Sequence, residues 1–216
     1  MTVRPADPAL RDRYVAIYVG ARRFMAANGN PEQWRDKDFA LDVDLDLASG
    51  ALCEGRNEAG ELLGVFAFLK GPDPTYQAID GAWLDDSPYR VLHRVASSFR
   101  EPGFIAGVTA WAAQICPHLR IDTHRDNLPM QRALKAAGFT PCGIIHLANG
   151  EPRIAVERVG TQRDKERIQR RRAGFGAPSF WVRFPALARR ISSVREPFAE
   201  RSPRTPEKVK YLLKKG

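Results

Sequence analysis

Cysteine is scarce in this chain. Cys53, Cys116 and Cys142 are the only three in 216 residues, widely spaced and without a Cys-x-x-Cys pair. That excludes a disulfide framework beyond one bridge and any Cys/His zinc spacing; free thiols in a reducing cytoplasm are expected. Long apolar runs are also missing. No stretch approaches the roughly 20 residues that span a bilayer, and the opening MTVRPADPALRDR has no apolar core. Neither a membrane span nor a secretory leader is therefore expected. Acidic residues are scarce at one end only. Residues 1–160 hold 18 Lys and Arg against 20 Asp and Glu, whereas residues 161–216 hold 16 against 5. The net charge of +9 thus belongs to the C-terminal part. The simplest division is a near-neutral domain over 1–160 and a basic extension over 161–216, partly helical or disordered.

What is present reads as a mixed fold. Asp7-Pro8 resembles a helix start, and Leu10, Tyr14, Ile17, Tyr18, Ala21 and Met25 recur at three- and four-residue steps up to the Asn28-Gly29 stop. Residues 39–47, FALDVDLDL, alternate strictly and so favour a strand, although Phe39, Val43 and Leu47 also permit a helix. Asp42, Asp44 and Asp46 do not form a calcium loop: Leu47 stands where the turn glycine belongs and Cys53 where the bidentate glutamate belongs. They read as a solvated acidic face. Residues 51–57 and 61–70 suit a hairpin around Asn57–Gly60, the second strand being apolar enough to be central. Strands are expected over 77–84 and 89–97, separated by a tight turn at Asp85–Pro88. A helix over 104–116, a strand over 119–124, a helix over 128–137 and a hairpin of 142–147 with 153–159 complete the domain. A strand–helix–strand unit amid antiparallel hairpins implies an α+β fold, with a mixed sheet and helices on both faces. In the tail, Gln162–Arg172 suits a short helix, and Trp181 and Phe184 lie among arginines. That composition suits weak contact with nucleic acid or another polyanion, or a homodimer built on Trp181 and Phe184.

One run has a more specific likeness. LRIDTHRDNLPMQRALKAAGFTPCGII, residues 119–145, places Asn127 eleven residues before Gly138-Phe139. This resembles the second acyl-CoA motif of the GNAT superfamily of N-acyltransferases. Asn28-Gly29-Asn30-Pro31 with Gln33-Trp34, Asp73–Tyr76, Gly81 with Trp83, Tyr89 with His93-Arg94, Cys142–Ile145 and Arg153–Ala155 occur in the order found in one bacterial subgroup of that superfamily. The likeness spans about residues 2–160. It implies a mostly antiparallel sheet of six or seven strands and direct transfer of acetyl from acetyl-CoA to a small-molecule amine, without a metal.

The resemblance also assigns residues. The family's first motif, Arg/Gln-x-x-Gly-x-Gly/Ala, matches Arg100 and Gly103, with Ile105 at the second small position unless Ala106-Gly107 takes over by a one-residue shift. Such a loop holds pyrophosphate on the N–H groups that open a helix. Val95, Ala96 and Ser97 would offer backbone groups to the pantetheine arm, and Asn127 a side-chain hydrogen bond. Many GNAT enzymes have a tyrosine acid seven residues after the motif Asn; here that position is Leu134. His124, with Asp122 orienting it, and His93 are the titratable candidates, with Tyr89 and Tyr76 in reserve. Gln33 and Trp34 are expected to line the acceptor pocket, with Tyr76 as a wall. Cys142 reads as a core residue. A catalytically weak binding module that retains the fold and uses the basic tail is the rival reading. A monomer or a homodimer is compatible with the sequence.

Overall fold

A computed structural model describes residues 1–162, 164, 166 and 168–170. Within them, Asp7 accepts from the Ala9 N–H and starts a short 3-10 turn at Pro8–Leu10. Helix α1 follows over Arg11–Ala27 and buries Tyr14, Tyr18, Ala21 and Met25. It ends where Gly29 takes φ 85°. Residues 39–49 form a helix, α2 (Phe39–Ser49), and not the strand that their alternation favours. The ends decide this. The Asp38 carboxylate accepts from the Leu41 N–H, and Gly50 closes the helix at φ 70°. Phe39 and Val43 face inward while Leu41 and Leu45 stay exposed.

The strands are β1 (Thr2–Pro5), β2 (Leu52–Arg56), β3 (Leu62–Lys70), β4 (Asp80–Gly81), β5 (Arg90–Ser97), β6 (Leu119–Thr123), β7 (Thr140–His146) and β8 (Pro152–Arg158). Helices α3 (Phe104–Ile115) and α4 (Leu128–Ala136) flank β6 in the chain. The strands form one eight-stranded sheet in the order β1-β2-β3-β5-β6-β8-β7-β4. All pairings are antiparallel except β5 with β6. The extra strands over the expected six or seven lie at the edges. β1 carries no alternation signal, and β4 is two residues long.

Of the expected strand 77–84 only Asp80–Gly81 pairs, and it pairs with β7 at the far edge rather than beside β5. The remainder is loop because the Trp83 indole N–H turns back to the Tyr76 carbonyl at 3.1 Å. Asp85–Pro88 is accordingly part of a long crossing and not a hairpin turn.

Neighbouring residues of one strand face opposite sides of the sheet. Val65, Ala96 and Leu52 pack under α1 and α2, while Phe66, Val95 and Cys53 pack under α3 and α4. The two helical layers therefore cover opposite faces. Described residues of the stretch 162–170 are helical. The remainder of the basic extension, including Trp181 and Phe184, lies outside the described residues. Among those described, no helix is long and apolar enough to cross a membrane.

Candidate active site

The two central strands part. β5 and β6 pair only at Arg90–Leu119 and Val91–Arg120, yet β5 continues to Ser97 and β6 to Thr123. A cleft of about 860 Å³ opens at this point. Leu92, Val95, Ile105, Ile121, Met130 and Ala133 line it from the α3/α4 side; His93, Asp122, Gln33, Trp34 and Arg153 line it from the other.

Beyond His93, strand β5 bulges. Ala67 pairs with His93 and Val65 with Ala96, so Phe66 faces two residues. Arg94 takes φ 52° there, and its guanidinium holds both carboxylate oxygens of Asp46 on α2 at 2.6–3.0 Å. Burial alone would disfavour the Arg94 charge, but Asp46 more than offsets this and raises its pKa. Bulges re-aim the residues that follow them. Here these are Val95, Ala96 and Ser97, all in the cleft wall.

His93 stands at the parting point between two carboxylates. Its Nε2 lies 2.9 Å from Asp73 Oδ2 and its Nδ1 3.8 Å from Asp122 Oδ1. The hydrogen bond with His93 is the main force holding the Asp73 carboxyl down at about 2. Asp73 is thus an acceptor, and Nε2 of His93 carries the shared proton. Asp73 is itself placed by its turn: Oδ1 accepts from the Thr75 N–H at 2.8 Å, and the Asp73 N–H donates to the Tyr89 hydroxyl at 3.1 Å. The Tyr76 hydroxyl donates to Asp122 Oδ1 at 2.8 Å. Burial, reinforced by Asp122, pushes the Tyr76 phenol well above its ordinary pKa, so it remains a donor. Tyr76 and Tyr89 stand behind the cleft wall and orient the carboxylates that face it.

A second polar cluster links the α1–α2 loop to α4. Gln33 Oε1 accepts from Asn30 Nδ2 at 2.8 Å and from Asn127 Nδ2 at 2.9 Å. Asn127 Oδ1 accepts from the Met130 N–H and caps α4. All three side chains are buried. Trp34, at φ 68°, sets its ring edge-on to Tyr18 and Phe39.

At the opening of α3, Gly103 has φ 86° and provides no side-chain cap. The first-turn N–H groups, including those of Ile105 and Ala106, are thus left to other acceptors. Ile105 packs against the α3/α4 core and lines the cleft without filling it. Gly107, in the same first turn, packs against Met1: a side chain there would meet Met1 Cε at 2.6 Å. Arg100 is exposed and lies 3.8 Å from Glu61.

Several expected residues stand elsewhere. His124 is not in the cleft wall. Its Nδ1 accepts from the Asp126 N–H at 3.2 Å and closes the turn before α4. Asp122 faces His93 and Tyr76 and does not orient His124. Leu134 is in the core. Burial raises the Cys142 thiol, so it is held protonated. Asp73, Arg94 and Arg153 stand in the pieces that carry the family resemblance but were assigned no role from sequence. Only Asp73 had a local signal, an Asp-Pro turn cap.

The central parallel pair thus parts beside an uncapped helix start and leaves an open cleft between the two strands. The chain has the fold of the GNAT superfamily. No protein-family model matches it and no curated protein matches it, but solved structures do. A GNAT-family acetyltransferase from Streptococcus agalactiae is 29% identical with a TM-score of 0.66, the match covering 74% of this chain and 96% of that one. A GNAT-family acetyltransferase from Listeria monocytogenes is 21% identical with a TM-score of 0.54, covering 73% and 93%. An acetyltransferase related to histone acetyltransferases, from Corynebacterium glutamicum, is 21% identical with a TM-score of 0.50, covering 74% and 97%. The first of these supports acyl transfer as the general chemistry; the other two show the shared fold.

Proposed function

We propose that this protein is a cytoplasmic N-acetyltransferase that moves acetyl from acetyl-CoA to the amine of a small molecule within a ternary complex. The observation that carries the reading is His93, held by Asp73 and facing Asp122 at 3.8 Å where β5 and β6 separate. The donor's fit rests on the open strand gap, the bulged backbone of Val95–Ser97 and the uncapped start of α3 beyond Gly103. Those groups would hold acetyl-CoA, with Arg100 near the phosphates, and the donor would supply an electrophilic thioester carbonyl. Asn127 shapes the gap and caps α4, its side chain being engaged by Gln33 and Met130.

The acceptor arrives as an ammonium beside Asp122. His93, whose Nε2 proton is directed to Asp73, takes one ammonium proton at Nδ1. The resulting imidazolium is stabilised by Asp73 and Asp122. The freed amine forms the new C–N bond as the C–S bond breaks; its second proton and the leaving thiolate together yield free CoA. A positioned base contributes about 10²–10⁴-fold, and holding both substrates together supplies much of the remaining acceleration.

Calorimetry with acetyl-CoA, followed by detection of CoA thiol across an amine panel, tests the proposal. His93→Gln should lower kcat by at least about 100-fold while leaving acetyl-CoA affinity near that of the unmodified chain. His124→Ala should lower kcat by less than about threefold. Absence of binding heat at millimolar acetyl-CoA, or a His93→Gln enzyme with full kcat, would refute it.

A further inference from the structure

The acceptor side of the cleft contains a third charged group that proton transfer does not use. Arg153 on β8 shares a sheet face with His93 and Asp122. The register establishes this. Asp122 is the Cα partner of Ala155, and Arg153, two residues earlier, alternates back to the same face. Such diagonal neighbours lie about 7–8 Å apart. A base, a carboxylate and a guanidinium thus form a row across β5, β6 and β8 in the wall of one cleft.

Arg153 is 4% exposed, but little of its donor capacity is engaged. A guanidinium has five N–H donors in a fixed fork. Nη1 donates to the Pro152 carbonyl at 3.0 Å and Nη2 to Glu151 Oε2 at 2.6 Å. Nε makes no hydrogen bond among the described residues. Glu151 is on the β7–β8 turn with 48% of its side chain in solvent. A buried guanidinium whose only carboxylate partner among the described residues reaches in from solvent is poised to exchange it. The other cleft cations have ion-pair partners of their own: Arg94 with Asp46, Lys37 with Asp42, and Arg35 with Glu32 and Asp36.

We propose that the acceptor is a small zwitterion, with its amine between His93 and Asp122 and its carboxylate on Arg153 in place of Glu151. The proposal rests on the acetyl-transfer reading and names its substrate class. A ligand carboxylate matches the planar fork of Arg153. The spacing along the row suits an amine and a carboxylate on one short carbon skeleton.

The test uses the full chain at saturating acetyl-CoA and follows CoA thiol release. The acceptors are 4-aminobutanoate, a panel of α-amino acids, the matching carboxamides, and simple alkylamines. The best acid should exceed its own carboxamide by at least about 30-fold in kcat/KM, the size of a charged hydrogen bond lost. Arg153→Gln should cut that ratio by about tenfold or more, mainly through KM. Glu151→Gln, a change on an exposed turn, should lower KM for the acid several-fold by removing the competitor. If Arg153→Gln fails to fold, the unmodified enzyme's ratio and the Glu151→Gln KM still decide. Carboxamides or alkylamines used as well as the acids, a ratio unchanged by Arg153→Gln, or an unchanged KM in Glu151→Gln would overturn the proposal. Acetyl-CoA binding with turnover of non-acidic amines only defeats this inference alone. Absence of acetyl-CoA binding defeats the transfer reading, and this inference with it.

Discussion

The clamp between Arg94 and Asp46 gives the sharpest quantitative test of how the cleft is built. Arg94 occupies a left-handed backbone position at the bulge, which costs an L-residue roughly 1–2 kcal/mol. Its side chain is 21% exposed and that of Asp46 8%, so the bidentate pair is largely withdrawn from water. Removing one partner of a buried pair costs about 3–5 kcal/mol. The residual exposure of Arg94 brings the expected loss for Asp46→Asn to about 3 kcal/mol. For a domain of this size that is a fall of roughly 6–12 °C in Tm. Urea unfolding followed by tryptophan fluorescence, on Asp46→Asn, Arg94→Met and the double variant, isolates the coupling. At least about 2 kcal/mol is expected from neighbours joined this directly. Acetyl-CoA affinity should fall in Asp46→Asn as well, because the bulge directs Val95–Ser97 into the cleft. A coupling below about 0.5 kcal/mol would mean that the bulge persists without the clamp, and the reasoning would be wrong.

Two further outcomes concern stability. Gly64→Ala should destabilise by about 1–3 kcal/mol, measured by thermal melting, because the added Cβ would lie 2.5 Å from the Phe104 ring and would also strike the Ala96 carbonyl; a neutral melt would disprove that close contact. The Asp73 carboxyl titrates at about 2 in the fold, below its ordinary 3.8. Its contribution is therefore complete above about pH 4 and fades as pH falls toward 2, so the stability advantage over Asp73→Asn should shrink by about 1–2 kcal/mol across that window in urea titrations.

Helices α1 and α4 and the β2–β3 hairpin were legible because each has local punctuation. Asp7-Pro8, Asn28-Gly29, Asn57–Gly60 and Gly138 mark ends that the backbone respects wherever they occur. Residues 39–47 were ambiguous for a physical reason: apolar residues at alternate positions include a set at every fourth position, so one string satisfies two periods. The caps at Asp38 and Gly50 resolve it, and both lie outside residues 39–47. Strand β1 was invisible, since an edge strand gains its hydrogen bonds from a neighbour and needs no pattern of its own, and of the strand expected over 77–84 only Asp80–Gly81 is paired.

The site divides along the same line. Asn127 before Gly138-Phe139, the Pro-Gly start of α3 and the presence of His93 and His124 are statements about residue type and spacing, and the chain alone contains them. Choosing between the two histidines required the fold. Both sit on or just beyond central strands, but only His93 reaches the gap, because β5 continues past its last pairing with β6 whereas His124 is drawn into the α4 turn by the Asp126 N–H. Asp73 and Arg153 are 80 residues apart in the chain with Asp122 between them, and nothing local to any of them announces the others. Sheet register brings Asp122 and Arg153 onto one face with His93, and a capped turn brings Asp73 to it; register is a property of paired strands that no single strand encodes.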